Sequence, residues 1–302
     1  MNQLLMTKRG CLLDEWLRQS APEVCQVGDR RWRVSLGNGV SACVLAPVDD
    51  TFLLFDAPAP VTCELEKTPH WLRWNAALAG NAKIALVPNP WQVKLRAEIP
   101  MDDEVNPSAR IAETLHGLHD ACQLLKENPS SASNPRQTGP VMALDDTPIA
   151  SRNLPALLRD TGWSFQERTP GVAVVELAMR GRCCRVLLEE NTLGVRAAVE
   201  LLRAAPLTKP SEIALAALLL GASGALRFAR PYATKAEEQF TCGFEVRFAG
   251  ETTASELEHA LEALAVACGV CHEEVNSLLD NSVAESYLAI RNLPPTIARE
   301  EQ

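Results

Sequence analysis

"LLDEWLRQSAPEVCQVGDRRWRVSLGNGVSACVL" (residues 12–45) decides the fold, because the chain writes it a second time. Laid without gaps over "NLPALLRDTGWSFQERTPGVAVVELAMRGRCCRV" (153–186), it brings Leu13 to Leu154, Trp16 to Leu157, Leu17 to Leu158 and Arg18 to Arg159. Val24 then meets Phe165, Val34 meets Val175, Leu36 meets Leu177, Cys43 meets Cys184 and Leu45 meets Val186. The agreement lies in apolar type and spacing, as expected of a duplicated unit, and a repeat governs every later reading.

The duplication extends outward. The same offset sets Leu78-Ala79-Gly80 over Leu219-Leu220-Gly221. Near the end of each half, Ile111, Leu115, Leu118 and Cys122 correspond to Leu257, Leu261, Leu264 and Cys268. The expected division is copy one over 1–126, a Pro-, Ser- and Asn-rich linker over 127–151, and copy two with a C-terminal extension over 152–302.

Each copy reads as α+β. A short helix (10–20; 153–161) precedes strands: "RRWRVSLG" alternates Trp32, Val34 and Leu36 with polar residues and turns at Asn38-Gly39 into "GVSACVLA". Their counterparts are "VAVVELAM" and "RCCRVLLE". "TFLLFDA" (51–57) predicts a further strand, a helix spans about 70–79, and "KIALV" leads to a strand alternating Val93, Leu95, Ala97 and Ile99. Phe240, Cys242, Phe244, Val246 and Phe248 alternate in copy two. There "TLGVRAAVELLRAAP" (192–206) reads as a helix, and Gly221-Ala222-Ser223-Gly224 as a loop between helix and strand. An amphipathic helix closes each copy. The expected architecture is two helix–antiparallel sheet–helix domains.

Bulk properties narrow the function. The 302 residues fit about two domains. With 29 basic against 38 acidic side chains, the net charge of −9 argues against general affinity for nucleic acid or anionic membrane. The longest apolar run, "IALAALLLGASGAL" (213–226), is too short to span a bilayer, so no membrane insertion is expected. The first 20 residues lack a secretory h-region, and the ten cysteines are dispersed through apolar segments. Both point to reduced thiols in a cytoplasm.

"CGVCH" (268–272) matches the c-type haem attachment pattern. Its twin in copy one is "CQLLK" (122–126), so Cys268 stands where Cys122 stands and Cys271 where Leu125 stands. Both thiols then continue an apolar stripe with steps of four and three, and cysteine packs as a small apolar residue. Zinc would need ligands beyond the two thiols, and His259 lies nine residues before Cys268. His116 and His119, with Asp120, read as a solvated face; Trp71 and Trp74 read as core. Cys183 and Cys184 point to opposite faces of a strand. No metal and no cofactor is expected, and no catalytic set emerges.

The order of elements resembles the type III secretion chaperones of the CesT-like class. The likeness is carried by "VSLGNGVSACVLAPVDDTFLLFDAPAP" (34–60), "WLRWNAALAGNAKIALVPN" (71–89) and "ARIAETLHGLHDACQLL" (109–125), then by "IALAALLLGASGALRFA" (213–229) and the closing helix 254–271. Proteins of the YbjN type share the general arrangement. The chaperones are usually single domains that form homodimers, so a tandem chain implies a monomer whose copies act as a pseudo-dimer. The resemblance implies a non-enzymatic protein that holds the N-terminal segment of a secreted effector extended for export. The grooves for that client are expected near Leu13, Trp16, Leu17 and Trp32, with Leu154, Leu157 and Leu158 as counterparts. A regulator or scaffold that kept the fold without an export role is the rival among binding proteins. A redox or metal protein using Cys268, Cys271 and a histidine is the rival from another class.

Overall fold

The computed structural model describes residues 12–37, 39–47, 51–78, 80–88, 91–101, 107–127, 154–179, 182–191, 194–236, 239–250 and 252–292. Apart from Glu127, the expected linker lies outside them. The first half runs α1 (residues 12–20), β1 (Val24–Gly28), β2 (Arg31–Gly37), β3 (Val40–Leu45), β4 (Phe52–Pro58), α2 (Thr68–Ala77), β5 (Lys83–Val87), β6 (Gln92–Pro100) and α3 (Pro107–Glu127). The second runs α4 (Leu154–Asp160), β7 (Phe165–Thr169), β8 (Val172–Met179), β9 (Arg182–Asn191), β10 (Gly194–Ala204), α5 (Lys209–Ser223), β11 (Arg230–Ala236), β12 (Gln239–Ala249) and α6 (Ala254–Ser277). A further helix, α7 (Asn281–Asn292), follows.

Each half folds one six-stranded antiparallel sheet, in the orders β1-β2-β3-β4-β6-β5 and β7-β8-β9-β10-β12-β11. The two orders are the same path walked twice. The alternation in β2 and β3 puts Trp32, Val34, Ala42 and Val44 in the core, and the stripe Ile111, Leu115, Leu118, Cys122 and Leu125 of α3 is buried with them. In α6 Leu257, Leu261, Leu264 and Cys271 are buried, with Cys268 half-buried. Thr253 and Glu256 close a reciprocal capping box that starts this helix.

Four expectations need correction. Residues 194–204 form the strand β10, not a helix: the segment pairs with β9 on one side and β12 on the other, and this central position overrides its helical composition. Gly221 to Ser223 are the last turn of α5, with Gly224 as its C-cap, rather than a loop. The gapless pairing of Cys43 with Cys184 and Leu45 with Val186 does not survive the register. Val34 lies opposite Ala42, and its counterpart Val175 lies opposite Val186, so the hairpin of the second half is longer and Leu188 is the counterpart of Val44. Finally, β1 and β7 add an outer strand to each meander.

The halves meet through α2, α5, β5 and β11. Helix α2 packs on β11, α5 packs on β5, and the two helices pack on each other. Trp71, Leu72 and Trp74 of α2 are buried. Polar contacts cross the same seam: Arg73 pairs with Glu212 at 2.7 Å, Arg247 donates to Ala76 O at 3.0 Å, and Arg96 donates to Gly224 O. Arg227 lies over the Phe52 ring at 3.9 Å, and Arg291 at the end of α7 lies over Trp91 at 4.6 Å.

Candidate functional site

The expected client-binding residues gather where α1 lies over the meander. Leu13, Leu17 and Trp32 are buried in the core there, and Leu154 and Leu158 are buried at the matching place in the second half. Trp16 and Leu157 are half-buried and keep part of their surface exposed. The same spacing that placed all seven on one helix face and strand thus divides them into five core residues and two that present apolar surface.

Asp14 ties this corner together. It accepts from Arg18 Nε at 2.6 Å and from Trp32 Nε1 at 3.2 Å, while Arg18 Nη1 donates to Val24 O at 3.4 Å. The hydrogen bonds from Arg18 and Trp32 hold the Asp14 carboxyl below the usual range despite the opposing effect of desolvation. In the second half the opening of α4 is held differently: Leu154 N donates to the buried Glu190 carboxylate at 3.2 Å.

Beside each first helix lies a sheet edge. Among the described residues β1 pairs only with β2, and β7 only with β8. Four of the five residues in each of these strands are exposed, with Val27 at 45% and Leu12 of α1 at 43%. Trp163 and Phe165 are half-buried at the start of β7. An open strand edge beside exposed apolar side chains can take an extended segment as an added strand, with backbone hydrogen bonds and side-chain contacts. The sequence signal missed here was weak, since an exposed outer strand shows no apolar alternation.

The thiols have another environment. Cys271 is buried, and burial pushes its pKa up to about 12; Cys242 is likewise pushed up to about 12. The Cys184 thiol is hydrogen-bonded to Cys268, and this bond together with burial raises it. Burial thus favours the neutral thiol over the thiolate at Cys184, Cys242 and Cys271. Among the described residues no group of three or more His, Cys, Asp or Glu side chains is arranged to hold a metal ion. His119 is engaged by Leu36 O at 2.5 Å and Gln123 at 2.7 Å, and His116 lies 3.3 Å from Asp120 on an exposed face.

No family model matches the chain, and neither the curated proteins nor the solved structures contain a match to it. No helix among the described residues is long and apolar enough to cross a membrane.

Proposed function

We propose that the chain is a non-enzymatic protein-binding chaperone of the type III secretion kind, keeping the N-terminal segment of a secreted effector extended before export. One observation supports this reading above the others: in each half an outer strand that pairs on one side only among the described residues follows the first helix, whose Trp16 or Leu157 is half-buried. An extended client would add to the β1 or β7 edge and cover that side chain. Ordering a client costs conformational entropy, so binding needs apolar surface as well as backbone hydrogen bonds. In this reading the chain works as a cytoplasmic monomer whose halves take the places of two subunits.

The test is co-purification from the native host followed by limited proteolysis. The expected result is a secreted protein protected only over its N-terminal region, with protection lost in Trp16→Ala. A chain that protects no secreted protein sinks the export role and leaves a regulator or scaffold.

A further inference from the structure

The strand registers establish which residues of the two halves are counterparts. Val44 and Leu188 occupy one place in the meander, and across β4 and β10 they lead to Phe55 opposite Ala97 and Ala197 opposite Val246. Stepping along β6 and β12 from there, Arg96 corresponds to Glu245 and Glu98 to Arg247. In the closing helices the buried stripes coincide when Ile111 is set on Leu257, which makes Arg110 the counterpart of Glu256. All three positions are charged in both halves, and at all three the sign is reversed.

One reversed pair meets itself. Arg110 Nε lies 2.8 Å from Glu256 Oε1 and Nη2 lies 3.0 Å from Oε2, a bidentate pair in which Glu256 is 1% exposed. A residue that touches its own counterpart marks the axis relating two equivalent bodies. Beside the pair, a cavity of about 20 Å³ is lined by Asn81, Glu98, Arg110, Arg247, Phe248 and Glu256. This is the same axis region, and a second reversed pair, Glu98 and Arg247, faces it.

Like residues meet at an axis when identical halves pair. Two first halves would bring Arg110 against Arg110 and two Glu98 carboxylates to one cavity. Two second halves would bury Glu256 against Glu256. Buried like charges are strongly disfavoured, and rejecting a wrong partner by this means is how specificity is built without extra affinity. Lys83 and Arg230, by contrast, are cations in both halves, and their acceptors across the seam are backbone carbonyls that any pairing would supply.

We propose that the seam is a partner-selective surface: the first half takes the second half and excludes a second first half, with the reversed charges at 110/256 and 98/247 making the choice. The duplicated halves have thereby become complementary, and the chain closes on itself. This rests on the single-chain pairing proposed above, and not on the client.

Two measurements on the full chain test it. Arg110→Glu and Glu256→Arg are each expected to lower Tm by several degrees, and the double variant to recover most of the summed loss. Glu256 also caps α6, but that contribution enters both sides of the cycle and cancels. Additive losses, or neutral single variants, overturn the proposal. In the second, the chain carries a protease site within 127–151 and is cut after folding. The two pieces are expected to stay together as a one-to-one pair by native mass spectrometry; like-with-like dimers or separated pieces overturn it. An uncut chain that is itself a dimer would sink the single-chain reading, while the charge cycle still reports on the pairing.

Discussion

Lys83 and Arg230 occupy the same place in the two halves, and each donates to the carbonyl that precedes the other: Lys83 Nζ to Ala229 O at 3.5 Å, Arg230 Nη1 to Ala82 O at 3.0 Å. Each opens its strand at the seam, and both are buried. Lys83 also reaches Leu226 O at 2.7 Å and Glu98 at 3.0 Å; Arg230 reaches Leu78 O, Gly80 O and the Glu245 carboxylate. Each cation therefore satisfies carbonyls at the helix-to-strand turn of the opposite half. Removing Arg230 as Arg230→Met leaves three carbonyls and a buried carboxylate short of a partner. The expected loss is about 3–5 kcal/mol in urea unfolding, as for other broken buried pairs. Arg203→Met, which removes an exposed pair with Glu200, is expected to leave the midpoint unchanged.

Acid should find the same cluster. Burial opposes a charge on Glu245, but Arg230, Arg247 and Arg196 surround it and hold its carboxyl down at about 2. A carboxylate depressed in the folded state binds fewer protons there than in the unfolded chain, where its value is about 4.3. Its stabilisation is then complete above about pH 5 and lost as pH falls toward 2, on the order of 3 kcal/mol in all. Urea midpoints measured from pH 6 to pH 2 should show this slope. In Glu245→Gln the protein should be less stable at pH 6 and the slope flatter; an unchanged slope would place the acid sensitivity elsewhere.

Two glycines at the end of α5 offer a matched comparison. A Cβ on Gly224 would stand 2.7 Å from Leu86 O, in the other half, whereas one on Gly221 meets nothing within 4 Å. Gly221→Ala is expected to stabilise α5 by about 0.5–1 kcal/mol, since alanine favours the helix. Gly224→Ala must displace backbone across the seam and is expected to lower Tm. Equal effects from the two substitutions would mean that the halves do not touch at Leu86.

The proposed client surface separates from the core by burial. Trp16→Ala leaves the buried Leu13 and Leu17 in place, so it is expected to weaken client binding while Tm falls only slightly. Leu17→Ala removes a fully buried side chain and should cost about 2–5 kcal/mol. Isothermal titration with a client segment, paired with thermal unfolding, distinguishes the two. A Trp16→Ala chain that binds as tightly as the parent moves the site away from α1.

The repeat was legible because apolar spacing survives duplication: Leu13 and Leu17, Val34, and the stripe of α3 mark the same elements in both halves. The β10 segment was not. Val195, Val199 and Leu202 fall at helical steps among Ala, Glu, Leu and Arg, and the strand is buried on both faces, so it shows no alternation. The outer strands β1 and β7 were missed for the opposite reason, being almost wholly exposed. At the seam, the meeting of Arg110 with Glu256 depends on how the two halves dock, and spacing within either half carries no trace of it. Glu256 also closes the capping box of α6 with Thr253, and its contact with Arg110 is a second role that only the docking of the halves creates.

The pattern "CGVCH" yields the last prediction. Cys271 is 1% exposed, stands where the first half has Leu125, and has its thiol pushed up to about 12 by burial. A buried neutral thiol is an apolar filler, and leucine is what the twin helix uses at that point. Cys271→Leu adds volume in a packed site, so the expected cost is about 1–3 kcal/mol, with binding of the proposed client kept. Alkylation should follow the same division. Exposed Cys25 and Cys183 should react with iodoacetamide in the folded chain, while Cys242 and Cys271 react only on unfolding. Fast labelling of Cys271, or loss of client binding in Cys271→Leu, would return these thiols to a chemical role.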